Sequence, residues 1–213
     1  MNVDNLEFTR RVRRVSPENR TGSIDRMNGG GLYRRAAIAE AGYFSDRNLH
    51  GYEEFDLGVR LRSLGWELHR LDRRFVAHFG HSINAYTLLV RRWRSKYLRG
   101  VGELLRAALG RPHWNKLVHE LPELRLWAGV YLWWLAMIGL LVFLSDKKTA
   151  LLIDAALIVL VAAAMSLKQR SLSLGVYAVV AWCFHAAALP LGFFHPRRQP
   201  DDWIESKVVS KDH

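Results

Sequence analysis

The stretch from Leu126 to Leu144 reads LWAGVYLWWLAMIGLLVFL and contains no charged residue. At about 1.5 Å per residue, a helix of this length nearly matches the hydrocarbon core of a bilayer, which is about 30 Å thick. Its first half holds Trp127, Tyr131, Trp133 and Trp134, and such amphipathic rings favour the level of the lipid headgroups. The sequence therefore predicts a transmembrane helix here.

Two further apolar stretches follow, over residues 150–167 and 172–194. Asp154 lies near the start of the first, where a carboxylate can still reach the interface, so we interpret it as an interfacial residue. The second contains His185, which we interpret as a hydrogen-bonding helix contact rather than a proton relay, and it is interrupted by Pro190. We expect about three transmembrane helices, at 126–144, 150–167 and 172–194.

The distribution of charge predicts how the chain is oriented. Residues 1–125 hold 23 of the 31 Lys and Arg residues. Because positive segments stay in the cytoplasm, we expect a multi-pass protein of the cell (inner) membrane with its amino-terminal half in the cytoplasm. Three spans place the tail outside, whereas Arg197 and Arg198, just after the last span, favour the inside. The sequence leaves this conflict open.

Composition also argues against two classes of protein. The single cysteine, Cys183, cannot form an internal disulfide, and the polar residues 2–5 do not resemble a signal peptide, so a small secreted protein is excluded. The basic run at 10–14 is suited to nucleic-acid phosphates, but beside a membrane a contact with anionic lipid or a solvated face is favoured. We predict membrane lipid, and no nucleic acid, among the partners.

The soluble half contains a glycine loop, MNGGGLYRR, at residues 27–35. Three glycines without Cβ atoms let a ligand approach the backbone. A short helix is predicted over 35–41, ended by a left-handed Gly42. The loop has neither the P-loop nor the dinucleotide-binding spacing, so taken alone an ordinary turn explains it equally well.

An acidic helix follows, with the sequence GYEEFDLGVRLRSLGW at residues 51–66. Leucines recur in it at helical spacing, and Gly65 closes it. Its first turn holds Glu53, Glu54 and Asp56, where the helix dipole stabilises carboxylates. That structural explanation competes with a catalytic one, because a general base is a carboxylate held near an acceptor hydroxyl.

Two strand-like runs come next, at residues 66–71 and 74–79. The second run contains His78 near its end, and His81 follows the run two residues later. Their spacing permits both, or only one, to bind a metal ion, but simple loop histidines explain them as well.

The order of these features resembles a known family. GGGLYRR, AGYF, GYEEFDLGVRLRSLGW and HFGHS, followed by basic helices and membrane spans, are similar to the carboxyl-terminal half of a membrane-associated family 2 glycosyltransferase. The resemblance covers about residues 27–100. It implies an α/β fold, a partial GT-A domain, followed by an all-α membrane region.

The resemblance implies roles for individual residues. In this family the glycine loop lies beside the donor sugar and the acceptor. The acidic pair of the family, usually Glu-Asp, falls on Glu53 and Glu54, so Glu54 stands where Asp is usual. Glu54 would deprotonate the acceptor hydroxyl, and Glu53 and Asp56 would orient the loop or bind the acceptor. The loop residues implied to bind substrate are Asn28, Gly29, Gly30 and Gly31.

The resemblance also implies a divalent metal, Mn or Mg, with His78 as a ligand. Processive members carry a Gln-x-x-Arg-Trp box, which falls here on residues 89–93. Arg92 and Trp93 match it and are implied to contact substrate, whereas Leu89 replaces the Gln. This departure favours transfer of single sugars over polymer synthesis.

The chain departs most from the family before residue 27. Family members begin with a nucleotide-binding βαβ region and an Asp-x-Asp motif, which this sequence does not contain. We therefore expect a truncated chain, complete as an enzyme only with an upstream segment or a separate donor-binding chain. The alternative is a noncatalytic membrane-anchored remnant or subunit that binds saccharide or a partner protein.

The resemblance and the charge pattern together divide the chain into four parts. Residues 1–82 form the GT-A part and residues 126–195 the membrane helices, followed by a polar tail at 196–213. Residues 83–125 are interfacial: 86–109 predict an amphipathic helix that lies on the membrane surface or packs on the domain, broken near Gly100. The predicted enzyme transfers a sugar from a nucleotide-sugar donor to a saccharide or lipid-linked acceptor.

Overall fold

The structure is a computed structural model that describes most of the chain. The described residues are 21–27, 30–72, 83–203 and 205, together with the backbone of 3–5, 14–15 and 78–79. This part is mostly helical, with two small sheets and three long apolar helices at the carboxyl-terminal end.

The helices account for most of the described chain. They are α1 (Arg35–Glu40), α2 (Glu53–Ser63), α3 (Ala85–Arg94), α4 (Gly100–Ala108), α5 (Trp114–Glu120), α6 (Glu123–Phe143), α7 (Lys147–Gln169) and α8 (Leu172–Phe193), with a 3₁₀ turn at Tyr97–Arg99. The long helices α6, α7 and α8 match the three predicted spans within a few residues, and each is long and apolar enough to cross a membrane. The predicted membrane region is therefore confirmed as three apolar helices.

The strands are short. They are β1 (Val3–Asn5), β2 (Arg14–Val15), β3 (Gly22–Ile24), β4 (Leu68–Arg70) and β5 (His78–Phe79). Strand β1 pairs antiparallel with β2 and parallel with β5, while β3 and β4 form a separate antiparallel pair. The strand predicted at 66–71 is confirmed as β4. The run predicted at 74–79 is described only at its end, as β5, and the GT-A fold stays a prediction.

Helices α1 and α2 end where the sequence predicts. Gly42, with φ of +87°, follows α1, and Gly65, with φ of +86°, follows α2. Both glycines adopt the left-handed conformation that other residues rarely accept. Leu57 and Leu61 point from α2 into a small core with Ala37 and β4.

A second, larger core joins the soluble half to the apolar helices. Phe55 and Val59 of α2 pack with α4 and α5, and the same cluster includes Trp127 of α6 and Ala186 of α8. Residues on both sides of the predicted boundaries at 82/83 and 125/126 therefore share one core. A soluble domain built this way cannot move independently of the apolar helices.

Helices α3 and α4 pack against α8. The rings of Trp93 and Phe184 meet edge to face with centroids 5.5 Å apart, and Leu98 packs with Ala188. The break between the two helices lies at residues 95–99, just before the predicted position at Gly100. Packing is observed, on α8 and, through α4, on the core shared with α2, and a position at the membrane surface stays a prediction.

Pro190 does not interrupt α8, although the sequence predicted a break there. A proline has no N–H to donate to the carbonyl four residues earlier, which is that of Ala186. The hydroxyl of Tyr131 in α6 donates to this carbonyl at 2.6 Å. A polar group that would otherwise stay unsatisfied is thus bonded, and the helix continues.

The tail after α8 returns to the soluble half. Arg197 forms an ion pair with the fully buried Asp46, and Asn48 exchanges hydrogen bonds with the backbone of Arg198. At the start of α6, Glu123 accepts a hydrogen bond from the hydroxyl of Tyr52. Both ends of the three-helix region therefore contact residues 46–52.

These contacts bear on the conflict over the tail. Arg197 and Arg198, just after the last apolar helix, contact residues 46–48 of the soluble half, which is the half whose side these arginines favoured.

Asp154, predicted to be interfacial, is buried within the protein. Only 4% of its surface is exposed, and neither carboxylate oxygen has a hydrogen-bond partner among the described residues. The side chain is covered by the protein, and its position relative to the lipid–water boundary stays a prediction. The sequence pattern placed it correctly along α7 but could not show which side of the helix is covered.

Replacement of Gly102 by Ala is expected to separate α4 from α8. A Cβ built at this position lies 2.6 Å from the backbone nitrogen of Phe193 and closer still to the carbonyl of Leu189. Because both neighbours are backbone atoms, we expect the free energy of unfolding to fall by about 1–3 kcal/mol. Thermal unfolding in detergent measures the change.

Gly139→Ala is the matched control for this substitution. Gly139 lies inside α6, and a Cβ there meets nothing within 4 Å. Its unfolding midpoint should stay unchanged or rise slightly, since alanine favours helix more than glycine does. Equal effects of the two substitutions would contradict the close packing of α4 on α8.

Candidate functional site

The described part of the glycine loop is exposed and close to the backbone of α1. Gly30 has φ of +101°, a conformation that favours glycine. A Cβ at Gly31 would lie 3.0 Å from Cγ of Met27. Leu32 is 97% exposed. Asn28 and Gly29 lie outside the described residues.

The first turn of α2 brings two of the predicted acids to this loop. Glu54 is exposed and Glu53 is half-buried. Burial raises the pKa of the Tyr33 hydroxyl, and the negative charge of Glu54 raises it further. Tyr33 belongs to the glycine loop, and together with Met27 it packs against the core cluster that contains Leu57 and Leu61 of α2, so the loop lies against this helix.

Asp56 has a different environment from Glu53 and Glu54. Only 1% of it is exposed, and its Oδ2 accepts a hydrogen bond from Nε of Arg60 at 2.9 Å. The same guanidinium donates to the carbonyls of Ala41 and Tyr43 and lies 3.9 Å from the centroid of the Tyr43 ring. Burial raises the pKa of Asp56, and Arg60 opposes that shift.

These contacts give Asp56 a structural function. The Arg60 that it pairs with bonds to the carbonyls of Ala41 and Tyr43 in the turn after α1. Phe44 in that turn meets the ring of Tyr33 in the glycine loop edge to face, with centroids 5.4 Å apart. These contacts are compatible with the predicted role of orienting the loop, and acceptor binding by Asp56 stays a prediction.

The predicted metal ligand, His78, lies in β5, whose backbone pairs with β1 in the register of Asp4 with His78. Among the side chains that the structure describes, no group of three or more His, Cys, Asp or Glu residues could hold a metal ion. Asp56, the buried acid of the site, is already bonded to Arg60. The side chain of His78 lies outside the described residues, so the divalent-metal site that the resemblance implies stays a prediction, and no chemical step is assigned to a metal.

Arg92 and Trp93 lie on α3, next to the apolar helices. Trp93 packs on Phe184 of α8, and the Arg92 guanidinium lies 5.3 Å from the centroid of the Tyr97 ring. Packing alone is therefore a sufficient explanation for Arg92 and Trp93, and no substrate is needed to account for them. Their predicted substrate-binding role stays a prediction.

The sequence interpretation missed a buried carboxylate, Glu103. It is 2% exposed and accepts two hydrogen bonds from His50, one from the backbone nitrogen at 2.9 Å and one from the ring Nδ1 at 2.8 Å. The sequence did indicate that Glu103 could be buried, because it is the single acid in the otherwise apolar stretch at residues 101–105 of α4. Its partner lies 53 residues away and could not be inferred from spacing.

His113 gives the soluble half a dependence on pH. Burial, together with the positive charges of Arg60 and Arg111, lowers the pKa of His113 below its ordinary value of 6.5. The unfolded chain therefore binds a proton as the pH falls through 6.5, while the folded chain does not. Stability is expected to fall as the pH drops from 6.5 towards the lowered pKa.

The variant His113→Gln tests this expectation. Its unfolding midpoint should fall less than that of the wild type when the pH is lowered from about 7.5 to about 5.5, because glutamine binds no proton. His69→Gln, at an exposed histidine of β4, is the control and should keep the wild-type dependence. Identical pH dependence in all three proteins would contradict the assignment.

Comparison of the chain with protein-family models, with curated proteins and with solved structures gives no match. The resemblance to family 2 glycosyltransferases therefore rests on the order of the sequence motifs.

Proposed function

We propose that the chain is part of a membrane glycosyltransferase that transfers single sugars from a nucleotide-sugar donor to a saccharide or lipid-linked acceptor. One observation carries the proposal: Met27 and Tyr33 of the glycine loop pack against the core cluster that contains Leu57 and Leu61 of α2, the helix whose first turn holds Glu54. The glycine loop lets a substrate approach its backbone closely, and the acidic turn of α2 supplies carboxylates. An acceptor hydroxyl bound against this surface would have a base within reach.

In the proposed reaction Glu54 is the general base. Its carboxylate takes the proton of the acceptor hydroxyl as the acceptor oxygen forms a bond to the anomeric carbon of the donor. The bond from that carbon to the nucleotide diphosphate breaks, and its electron pair leaves with the diphosphate. Attack opposite the leaving group inverts the anomeric carbon.

Glu53 and the buried pair of Asp56 and Arg60 have supporting roles in this proposal. Glu53 lies beside Glu54 in the first turn and is placed to bind acceptor hydroxyl groups. Asp56 and Arg60 hold the turn that ends at Tyr43. A base must be held in position to work, and a rigid second layer of contacts supplies that constraint.

The proposed location is the cytoplasmic face of the cell membrane. Positive charge is concentrated before the first apolar helix, which favours a cytoplasmic soluble half. The tail arginines contact that half through Asp46 and Asn48, so they lie on the same face. In this proposal the shared core keeps the soluble half against the apolar helices, close to where an acceptor lipid would be available.

The test is a transfer assay on membranes from cells that make the chain and from otherwise identical cells that lack its gene. Both are incubated with a panel of radiolabelled nucleotide sugars. We expect the label from one donor to enter saccharide or lipid product only when the gene is present. Equal incorporation from every donor in both membranes would contradict the proposal and favour the noncatalytic module.

A further inference from the structure

A pocket lined by four arginines lies where the chain leaves α8. It has a volume of about 400 Å³ and is formed by the end of α4 with the segment that follows it, and by the tail after α8. Its basic lining residues are Arg106, Arg111, Arg197 and Arg198. No acidic side chain is among the described residues that line it.

Three of these arginines are available to a ligand. Arg197 is neutralised by its ion pair with Asp46. Within the described part of the chain, no hydrogen bond or ion pair engages the guanidinium groups of Arg106, Arg111 or Arg198. Arg111 and Arg198 are exposed, and Arg106 lies over the Phe193 ring at 5.9 Å from its centroid.

Such a group of guanidiniums selects a particular kind of ligand. Planar guanidinium groups match the geometry of phosphate oxygens and bind them by paired hydrogen bonds. Three uncompensated positive charges around one pocket repel one another, and a bound anion removes that repulsion. The pocket is therefore complementary to a phosphate group.

The rim of the pocket indicates where the phosphate comes from. Leu109 lines the pocket and is 48% exposed, and Phe194, which caps α8 three residues before the lining residue Arg197, is 80% exposed. Exposed apolar side chains beside a basic pocket, directly after an apolar helix, are typical of the boundary between headgroups and acyl chains. A lipid there would place its chains on this apolar rim and its phosphate among the arginines.

We propose that this pocket binds a phosphate group, carried by the headgroup of an anionic membrane lipid. The site is separate from the glycine loop and the acidic turn and does not depend on the glycosyltransferase proposal. Because the pocket joins α4 to the tail, a bound lipid would link the soluble half to the bilayer at the end of α8.

Native mass spectrometry of the full chain in detergent tests the proposal. The chain is titrated with phosphatidylglycerol and, separately, with phosphatidylcholine, whose phosphate carries a neutralising choline. We expect phosphatidylglycerol to bind at least about tenfold more tightly, since each basic residue near the lipid surface favours anionic lipid. Equal binding of the two lipids would overturn the proposal.

Two variants locate the binding. Arg111→Gln/Arg198→Gln should weaken binding of phosphatidylglycerol about tenfold or more, and Arg106→Gln, on a different element, should weaken it in the same direction. The control, Arg91→Gln/Arg94→Gln, removes the same charge from exposed positions on α3 and should bind as the wild type does. Equal loss in both double variants would overturn the assignment to this pocket.

Inorganic phosphate distinguishes the two sources of the ligand. If the lipid is the ligand, phosphate at about 10 mM should displace little phosphatidylglycerol, because the acyl chains contribute to lipid binding. Full displacement, with binding of phosphate alone that is lost in Arg111→Gln/Arg198→Gln, would support the phosphate chemistry and overturn the lipid as its source.

Discussion

Replacement of Glu54 by Gln is expected to lower the rate of sugar transfer by about 10²–10⁴-fold. Glutamine keeps the size of the side chain but cannot take a proton, and a general base contributes about that factor. The exposed position of Glu54 means that its loss should leave the unfolding midpoint near that of the wild type. The measurement is the initial rate of label transfer from the active donor in membranes.

Glu67→Gln provides the control for this substitution. Glu67 is exposed, ends the loop before β4, and bonds only to His69 among the described residues. Its variant should transfer sugar at the wild-type rate. A Glu54→Gln rate within a factor of two of the Glu67→Gln rate would remove Glu54 as the base.

Replacement of Arg197 by Met should destabilise the protein by about 3 kcal/mol. Asp46 is 1% exposed, and without its guanidinium partner the buried carboxylate keeps only the two hydrogen bonds from Asn48. Loss of one partner of a buried pair is more costly than loss of both, because it leaves an uncompensated charge. Denaturant or thermal unfolding in detergent measures the effect.

Two further variants identify the cause of this destabilisation. Arg198→Met should have little effect, because Arg198 bonds to Asn48 through its backbone and its side chain is exposed. Asp46→Asn combined with Arg197→Met should recover part of the lost stability, because no buried charge remains. A double variant less stable than Arg197→Met alone would contradict the buried pair as the source.

Much of the helical framework could be predicted from the sequence. Gly42 and Gly65 end their helices because only a residue without a Cβ accepts positive φ without strain. The three apolar helices follow from uncharged stretches of the right length. Patterns of this kind are local, so the sequence carries them in full.

The contacts between distant parts of the chain could not be predicted. Asp46 and Arg197 are 151 residues apart, and the sequence around neither residue indicates that the two form a pair. Pro190 indicated a break because a proline has no N–H to donate. The sequence did not show that the hydroxyl of Tyr131 donates a hydrogen bond to the carbonyl left without its usual partner.

The candidate site shows the same division between local and distant information. All three acids of α2 have the same explanation in the sequence, as residues favoured by the helix dipole. Only burial separates Asp56, bonded to Arg60, from Glu53 and Glu54 at the surface. The spacing of four residues between Asp56 and Arg60 was a signal for their pairing, but it did not show that both side chains are enclosed.

The central claim is that the surface formed by the glycine loop and Glu54 binds the acceptor, and photocrosslinking tests it most directly. A photoreactive amino acid replaces Leu32, the exposed residue of the loop, or Leu64, the exposed residue at the opposite end of α2, about 15 Å along the helix from Glu54. Membranes are supplied with the labelled donor and irradiated. The account predicts that labelled product becomes attached to the chain at position 32 and not at position 64, whereas equal labelling at both positions, or labelling at 64 alone, would contradict it.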